Sequence, residues 1–318
     1  MKRSVMSLLA AGILALPLAA EAQVKYPVNP VTLVTHSSPG GGSDVFLREL
    51  VKHLTPVMGV NFAVENIRGG SGATAVANVA KSAPNGGRFY ATTPTYIQTS
   101  LLSKPEIGFD GLDPLAIVFL DPEVVYTRAE APWKTLAEAV DHARKNPGKG
   151  RWGAANPASL ERIALEKLKR LARVQAAVVS HEGGGDLMIN VLNGTLDIGI
   201  GEVQEIRSQL EAGKVRLIGV LTDKRLPDFP DLATAREQGI DLVVTKFRGL
   251  AGPKGMPDDL AKMWETALRQ VLESPAYKAE YAKESLVPVL MGREEARKFT
   301  AEFAAEITAS LKELGVVK

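Results

Sequence analysis

Three times along this chain a short β-branched run gives way to a cluster of glycines, and a helix opens on the far side. Val31 to Thr35 ends in His36-Ser37-Ser38-Pro39-Gly40-Gly41-Gly42. After it, Leu47, Leu50, Val51 and Leu54 keep the i, i+3, i+4, i+7 spacing of an apolar helical stripe. Val60 to Val64 runs into Asn66-Ile67-Arg68-Gly69-Gly70-Ser71-Gly72 and then a small-residue helix from Ala73 to Ala80. Ala176 to Ser180 ends in His181-Glu182-Gly183-Gly184-Gly185-Asp186, and Leu187 to Leu192 begins another helix. With Arg88 to Thr93 as a further strand, the N-terminal part reads βαβαβ, which predicts α/β architecture: a parallel sheet with helices on its faces.

The middle of the chain repeats this grammar, with strands expected at Arg151 to Ala155, Leu196 to Ile200 and Val215 to Leu221, and a helix marked by Ala164, Leu168 and Leu171. Two long helices are expected near the C-terminus. One carries Leu260, Met263, Ala267 and Val271, the other Ala296, Phe299, Phe303, Ile307, Leu311 and Leu314. Two apolar segments are suited to joining lobes: Leu115 to Leu120, continuing through Asp121-Pro122 to Val124–Thr127, and Leu242 to Leu250. If both cross, the first α/β lobe is discontinuous, residues 23–121 plus 246–318, and residues 122–245 form the second. Two antiparallel crossings make a hinge that can close two lobes on a ligand.

The N-terminus predicts the compartment. Lys2 and Arg3 precede an apolar stretch from Leu8 to Ala20 and an Ala20-Glu21-Ala22 cleavage site, the pattern of a signal peptide over residues 1–22. The stretch is short for a membrane span. With no Cys there is no lipid anchor, disulfide or thiolate site. The expectation is a soluble periplasmic protein cleaved after Ala22, with no membrane insertion of the mature chain. Lys plus Arg is 38 and Asp plus Glu 36, a balance that argues against nucleic acid as a partner.

Glycine lets the backbone approach a ligand, and a helix start supplies unpaired N–H donors with a partial positive charge. A glycine loop that opens a helix is therefore an anion cradle that needs no lysine. None of the three loops has the Gly-Lys-Ser/Thr of a P-loop. Gly70-Ser71-Gly72-Ala73-Thr74-Ala75 fits a loose dinucleotide pattern, but Thr92-Thr93 stands where an acidic residue is needed. Gly69 to Ala73 is a degraded nucleophile elbow around Ser71, with His142 and His181 the candidate bases. Two histidines without helical spacing are poor metal ligands, so neither metal nor cofactor is expected. His36 and His181 read either as polar strand ends or as donors facing a cleft. Asp44 either caps its helix or orders its loop.

As a set these residues resemble the solute receptors of tripartite tricarboxylate transporters, the Bug-type or TctC-like extracytoplasmic binding proteins. The resemblance runs through Pro39 to Asp44 with Arg48, Glu65-Asn66 to Gly72, Gly183 to Asp186, Asn193-Gly194-Thr195-Leu196-Asp197, Ala212 to Arg216 and Arg225. It continues in Phe247-Arg248-Gly249-Leu250-Ala251-Gly252-Pro253 with Gly255-Met256-Pro257, where Phe247 replaces the common Trp. Asn85-Gly86-Gly87 departs from the Asp-Gly usual before the third strand.

The resemblance implies a two-lobed periplasmic-binding-protein fold of the Venus-flytrap, type II-like kind, with two crossing strands at the hinge. It implies a monomeric transport receptor, not an enzyme, that passes a small carboxylate to a membrane permease of the tripartite tricarboxylate type. A di- or tricarboxylate is the expected ligand. Carried over residue by residue, the ligand contacts are Ser38, Gly40, Gly41, Gly42, Ser43, Asp44, Asn66, Gly70, Ser71, Gly72, Thr93 and Thr95. Asn156, Ser159, His181 and Gly184 face them from the second lobe. A sensor presenting its bound form to a membrane histidine kinase would need the same cleft, and an exported hydrolase would use Ser71.

Overall fold

A computed structural model describes residues 25–244 and 246–313. The expected signal peptide and Leu314 lie outside the described residues. Among the described residues no helix is long and apolar enough to cross a membrane.

The chain builds two mixed α/β sheets, one per lobe. The first opens as the sequence suggests. β1 (Val31–Thr35) leads to α1 (Gly42–Met58), β2 (Phe62–Asn66) to α2 (Ala73–Ala80), and β3 (Arg88–Thr92) to α3 (Pro94–Ser103). β1 lies between β2 and β3, parallel to both. β4 (Leu112–Asp121) then leads past Pro122 into β5 (Glu123–Arg128), which belongs to the second sheet. There follow α4 (Leu136–Lys145), β6 (Gly150–Ala154), α5 (Leu160–Ala172), β7 (Ala176–Ser180) and α6 (Gly184–Leu192). β8 (Ile198–Glu202), α7 (Val203–Glu211) and β9 (Val215–Val220) complete that sheet, whose order is β7-β6-β8-β5-β9.

The return crossing is β10 (Lys246–Pro253), which inserts between β3 and β4, antiparallel to both. Its pairing with β4 begins at Lys246 and Asp121 and runs to Pro253 and Leu112. α8 (Asp258–Glu273), α9 (Pro275–Lys283), β11 (Val287–Met291) and α10 (Arg293–Glu313) follow, and β11 adds an edge strand beside β4. The first sheet is thus ordered β11-β4-β10-β3-β1-β2.

Strand residues of the first sheet serve both of its faces, as the period of two requires. Leu33, with Leu47, Leu50 and Leu54 of α1, packs into a core that contains Trp264 and Leu268 of α8. Val34 points the other way, into a core with Val76, Tyr96, Phe247 and the α10 residues Phe303 and Ile307. The expected stripes on α1, α8 and α10 are therefore the surfaces that cover this sheet.

Some expected limits shift. The second strand starts at Phe62 rather than Val60. The segment expected from Leu242 is strand only from Lys246, while Leu242 and Val244 fill the second lobe's core as irregular chain. An apolar run reports burial, and irregular chain can be buried as well as a strand. β11, α3 and α9 do not stand out in the periodicity.

Candidate functional site

The three glycine loops meet where the lobes face each other. In the first, the Gly41 N–H donates to Ser38 O at 3.0 Å and α1 opens at Gly42. Asp44 fixes this loop. Its carboxylate accepts from Gly40 N (2.9 Å), Arg48 Nε (3.0 Å) and Asn66 Nδ2 (2.9 Å), and Asn66 also donates to Ser37 O (3.0 Å). Burial works to raise the Asp44 carboxyl, but the bonds from Arg48, Gly40 and Asn66 outweigh it and hold it below its ordinary range. Asp44 and Asn66 thus order the loop from behind.

The second loop needs its glycines for conformation. Gly69, Gly70 and Gly72 have φ of 118°, 58° and 98°, and even Ser71 sits at 52°. The Ser71 carbonyl accepts from Thr99 Oγ1 at 2.7 Å. A Cβ on Gly72 would come within 3.2 Å of the His36 ring and the Tyr90 hydroxyl. The third loop needs glycine for closeness. A Cβ on Gly183 would lie 2.6 Å from Ser38 N, and one on Gly185 would strike the Pro39 carbonyl. The lobes therefore touch backbone to backbone, and Arg68 Nη2 pairs with Asp186 Oδ2 at 2.5 Å beside this contact.

Between the loops lies a cavity of about 20 Å³. Of the expected residues, Gly42, Ser43, Thr93 and Thr95 line it from one side and Asn156 and Gly184 from the other. Ser38, Gly40 and Gly41 do not line it: Ser38 and Gly41 are buried beside it and Gly40 is exposed. Gly70, Ser71 and Gly72 do not line it; Gly72 packs against His36, which does. Ser159 is buried and caps α5, its Oγ accepting from Arg162 N at 3.2 Å. His181 lies outside the cavity wall and donates its backbone N–H to Ala154 O. His36 is tied to the Tyr90 hydroxyl through Nδ1 at 2.7 Å, and not to Ser71. Burial is the main cause that lowers its pKa to about 4, so the ring is neutral near pH 7.

The floor of the cavity is ionic, and sequence reasoning did not anticipate it. Lys246, at the first position of β10, has its Nζ 2.5 Å from Glu161, 3.1 Å from Glu123 and in contact with Glu202. Arg248, two residues on and therefore on the same face, lies 2.6 Å from Asp121 and 3.0 Å from Glu202 and donates to Ser43 Oγ at 2.7 Å. Gln204 donates to Asp121 at 2.8 Å. Glu205 at the cavity wall accepts the Gly42 N–H at 2.9 Å.

Glu123, Glu161 and Glu202 are close enough together to ligate an ion, but the Lys246 ammonium occupies their centre. Burial works to raise Glu161, and Lys246 reverses this and lowers it to about 2. Burial pushes Glu123 up to about 8, and burial with the charges of Glu161 and Glu123 pushes Glu205 well above the carboxylate range. The signal for this cluster is present in the sequence: charged residues at i and i+2 inside an apolar strand, and Asp121-Pro122-Glu123 inside another apolar run.

A larger cavity of about 640 Å³ is an outer groove between the C-terminal end of α1 and α8, lined by Tyr26, Met58 and Met263, away from the loops.

Two mixed sheets joined by two crossing strands, with helix starts and glycine amides gathered between them, define a two-lobed solute-binding receptor. Solved structures share this fold. A structure of the periplasmic binding protein BugD has a TM-score of 0.86 at 23% identity, covering 92% of this chain and 100% of that one. A Rhodopseudomonas palustris protein solved with adipate has a TM-score of 0.84 at 24% identity, covering 92% and 98%. In sequence, the "UPF0065 protein in gbd 5'region" of Cupriavidus necator is 27% identical over 313 residues, 97% of this chain and 94% of that protein. Residues 46–316 match the family described as "Tripartite tricarboxylate transporter family receptor", TctC. The chain belongs to this family, whose members are solute receptors and not enzymes.

Proposed function

We propose that this receptor captures a small organic acid, a di- or tricarboxylate, in the interlobe cleft and delivers it to a membrane permease of the tripartite tricarboxylate type. It does so as a monomer in the periplasm, after cleavage behind Ala22. The lobes that close are residues 23–121 plus 246–318, and 122–245. The observation that carries this reading is that two glycine loops, each opening a helix, α1 and α6, face each other across one small polar cleft. The relative solved with adipate supports a carboxylate. The acid group sits on the first turn of α1, at Gly42 and Ser43, and Thr93, Thr95, Asn156 and Gly184 read the rest of the solute.

Micromolar binding needs about 8 kcal/mol. Hydrogen bonds to a charged group supply ~1.5–3 kcal/mol each, so several of them, offset by ordering costs, suffice without an arginine clamp. A thermal-shift screen of mono-, di- and tricarboxylates, amino acids and sugars tests the reading. Acids are expected to raise the melting temperature in a concentration-dependent way. Stabilisation by sugars alone would overturn it.

A further inference from the structure

The first turn of α1, the place given above to the solute's acid group, already holds an acid of the chain's own. Glu205, in the first turn of α7, reaches across from the second lobe, and its Oε2 accepts the Gly42 N–H at 2.9 Å. The same carboxyl lies against the start of α6. A Cβ on Gly184, the first residue of that helix, would strike it, and so would one on Gly201 of β8. Two glycines of the second lobe thus make room for one side chain. The carboxyl stands between two helix starts, each with N–H donors to offer and a partial positive charge.

The space beside it points the same way. About 20 Å³ takes a water molecule but no organic acid. Glu205 is also a weak occupant. Burial, with the charges of Glu161 on α5 and Glu123 on β5, pushes its carboxyl well above the ordinary range, and the Gly42 amide and Arg248 of β10 offset this only in part. It therefore keeps its proton to higher pH than an acid in water does. A neutral acceptor gains less from a helix start than a carboxylate.

We propose that Glu205 is an internal competitor for the acid site: its carboxyl occupies the starts of α1 and α6, the solute binds by displacing it, and this one side chain thereby sets how tightly the receptor holds its solute. This deepens the receptor reading and rests on it. The Gly42 N–H passes from a weaker acceptor to a stronger one, and only the surplus appears as affinity.

Calorimetry with succinate, malate and adipate near pH 7 tests this. Glu205→Ala removes the competitor and is expected to bind at least one of these acids about tenfold or more tightly than wild type. A residue that held the solute would lose affinity on the same truncation, so the two roles differ in sign. Glu205→Gln keeps the size and the acceptor oxygen and is expected to stay within about threefold of wild type. Should the alanine protein fail to fold, Glu205→Asp, one methylene short of the Gly42 amide, is expected to bind several-fold more tightly. A folded alanine or aspartate protein that binds no tighter than wild type overturns the inference and leaves the receptor reading intact. If none of the three acids binds to wild type or to any variant, the carboxylate reading falls, and the inference with it.

Discussion

Lys246 is the residue on which the cleft floor turns. Burial works against its ammonium, but Glu123 and Glu161 outweigh that and keep its pKa above the ordinary lysine value. Such a buried cluster is weak evidence for stability, because desolvating each ion costs several kcal/mol. Its effect is positional: Lys246 and Arg248 of the first sheet are bound to Glu123 and Glu202 of the second. Glu123 exposes the cost. Its folded pKa of about 8 lies above its unfolded value, so the folded chain holds a proton that the unfolded chain has lost. That favours folding fully at low pH, and the benefit drains away as pH rises through about 8. Glu123→Gln should therefore gain stability relative to wild type as pH rises from 5 to 8, by a few kcal/mol at the order-of-magnitude level. Urea melts at the two pH values measure it; an equal difference at both would contradict the raised carboxyl. His36 acts in the opposite window. Its depressed pKa of about 4 makes acid destabilising between roughly pH 6.5 and 4.

At the level of elements, the glycines of the first loop differ in what they do. A Cβ on Gly42 would press on the Arg248 guanidinium and the Glu202 carboxylate, both buried and held by ion pairs. Gly40 has φ of 79° but nothing within 4 Å of its missing Cβ. Gly42→Val is expected to abolish acid binding. Gly40→Ala should cost only ~1–2 kcal/mol of stability, the usual strain of a left-handed residue, and leave affinity within about threefold. Calorimetry and thermal melts on the two proteins separate these outcomes, and unchanged binding by Gly42→Val would remove the loop from the site.

The sequence made these loops legible because glycine clusters beside β-branched runs have few other uses. It also made α1, α8 and α10 legible by the spacing of their apolar residues, β1 by its β-branched run and α2 by its small residues. Of the ionic floor it showed only the charged positions inside two apolar runs, not their partners. Glu161 looks like any first-turn acid of a helix, and Glu205 like a surface residue of α7, until the fold sets them beside Lys246. It hid β11 as well, whose short run packs only as an edge strand.

For the whole molecule, both faces of the first sheet depend on the C-terminal helices. α8 brings Trp264 and Leu268 to one face, and α10 brings Phe303 and Ile307 to the other. Each large buried side chain contributes ~1.5–3 kcal/mol, which exceeds the net stability of most domains once several are removed. Ending the chain at Pro257 should therefore abolish cooperative unfolding of the first lobe. Circular dichroism melts check it, and a sharp transition in the shortened chain would mean that the N-terminal strands fold by themselves.

The place of β10 has a consequence for how the chain is made. It is a central strand, hydrogen-bonded to β3 and β4 at once, yet the entire second sheet precedes it in the sequence. Until it emerges from the ribosome, β3 and β4 have no bridge between them and the first sheet cannot be assembled in its final order. Synthesis at ~5–20 residues per second leaves that gap open for many seconds. During that time the strands of the first lobe are made but unassembled, while the second sheet, already complete, can form.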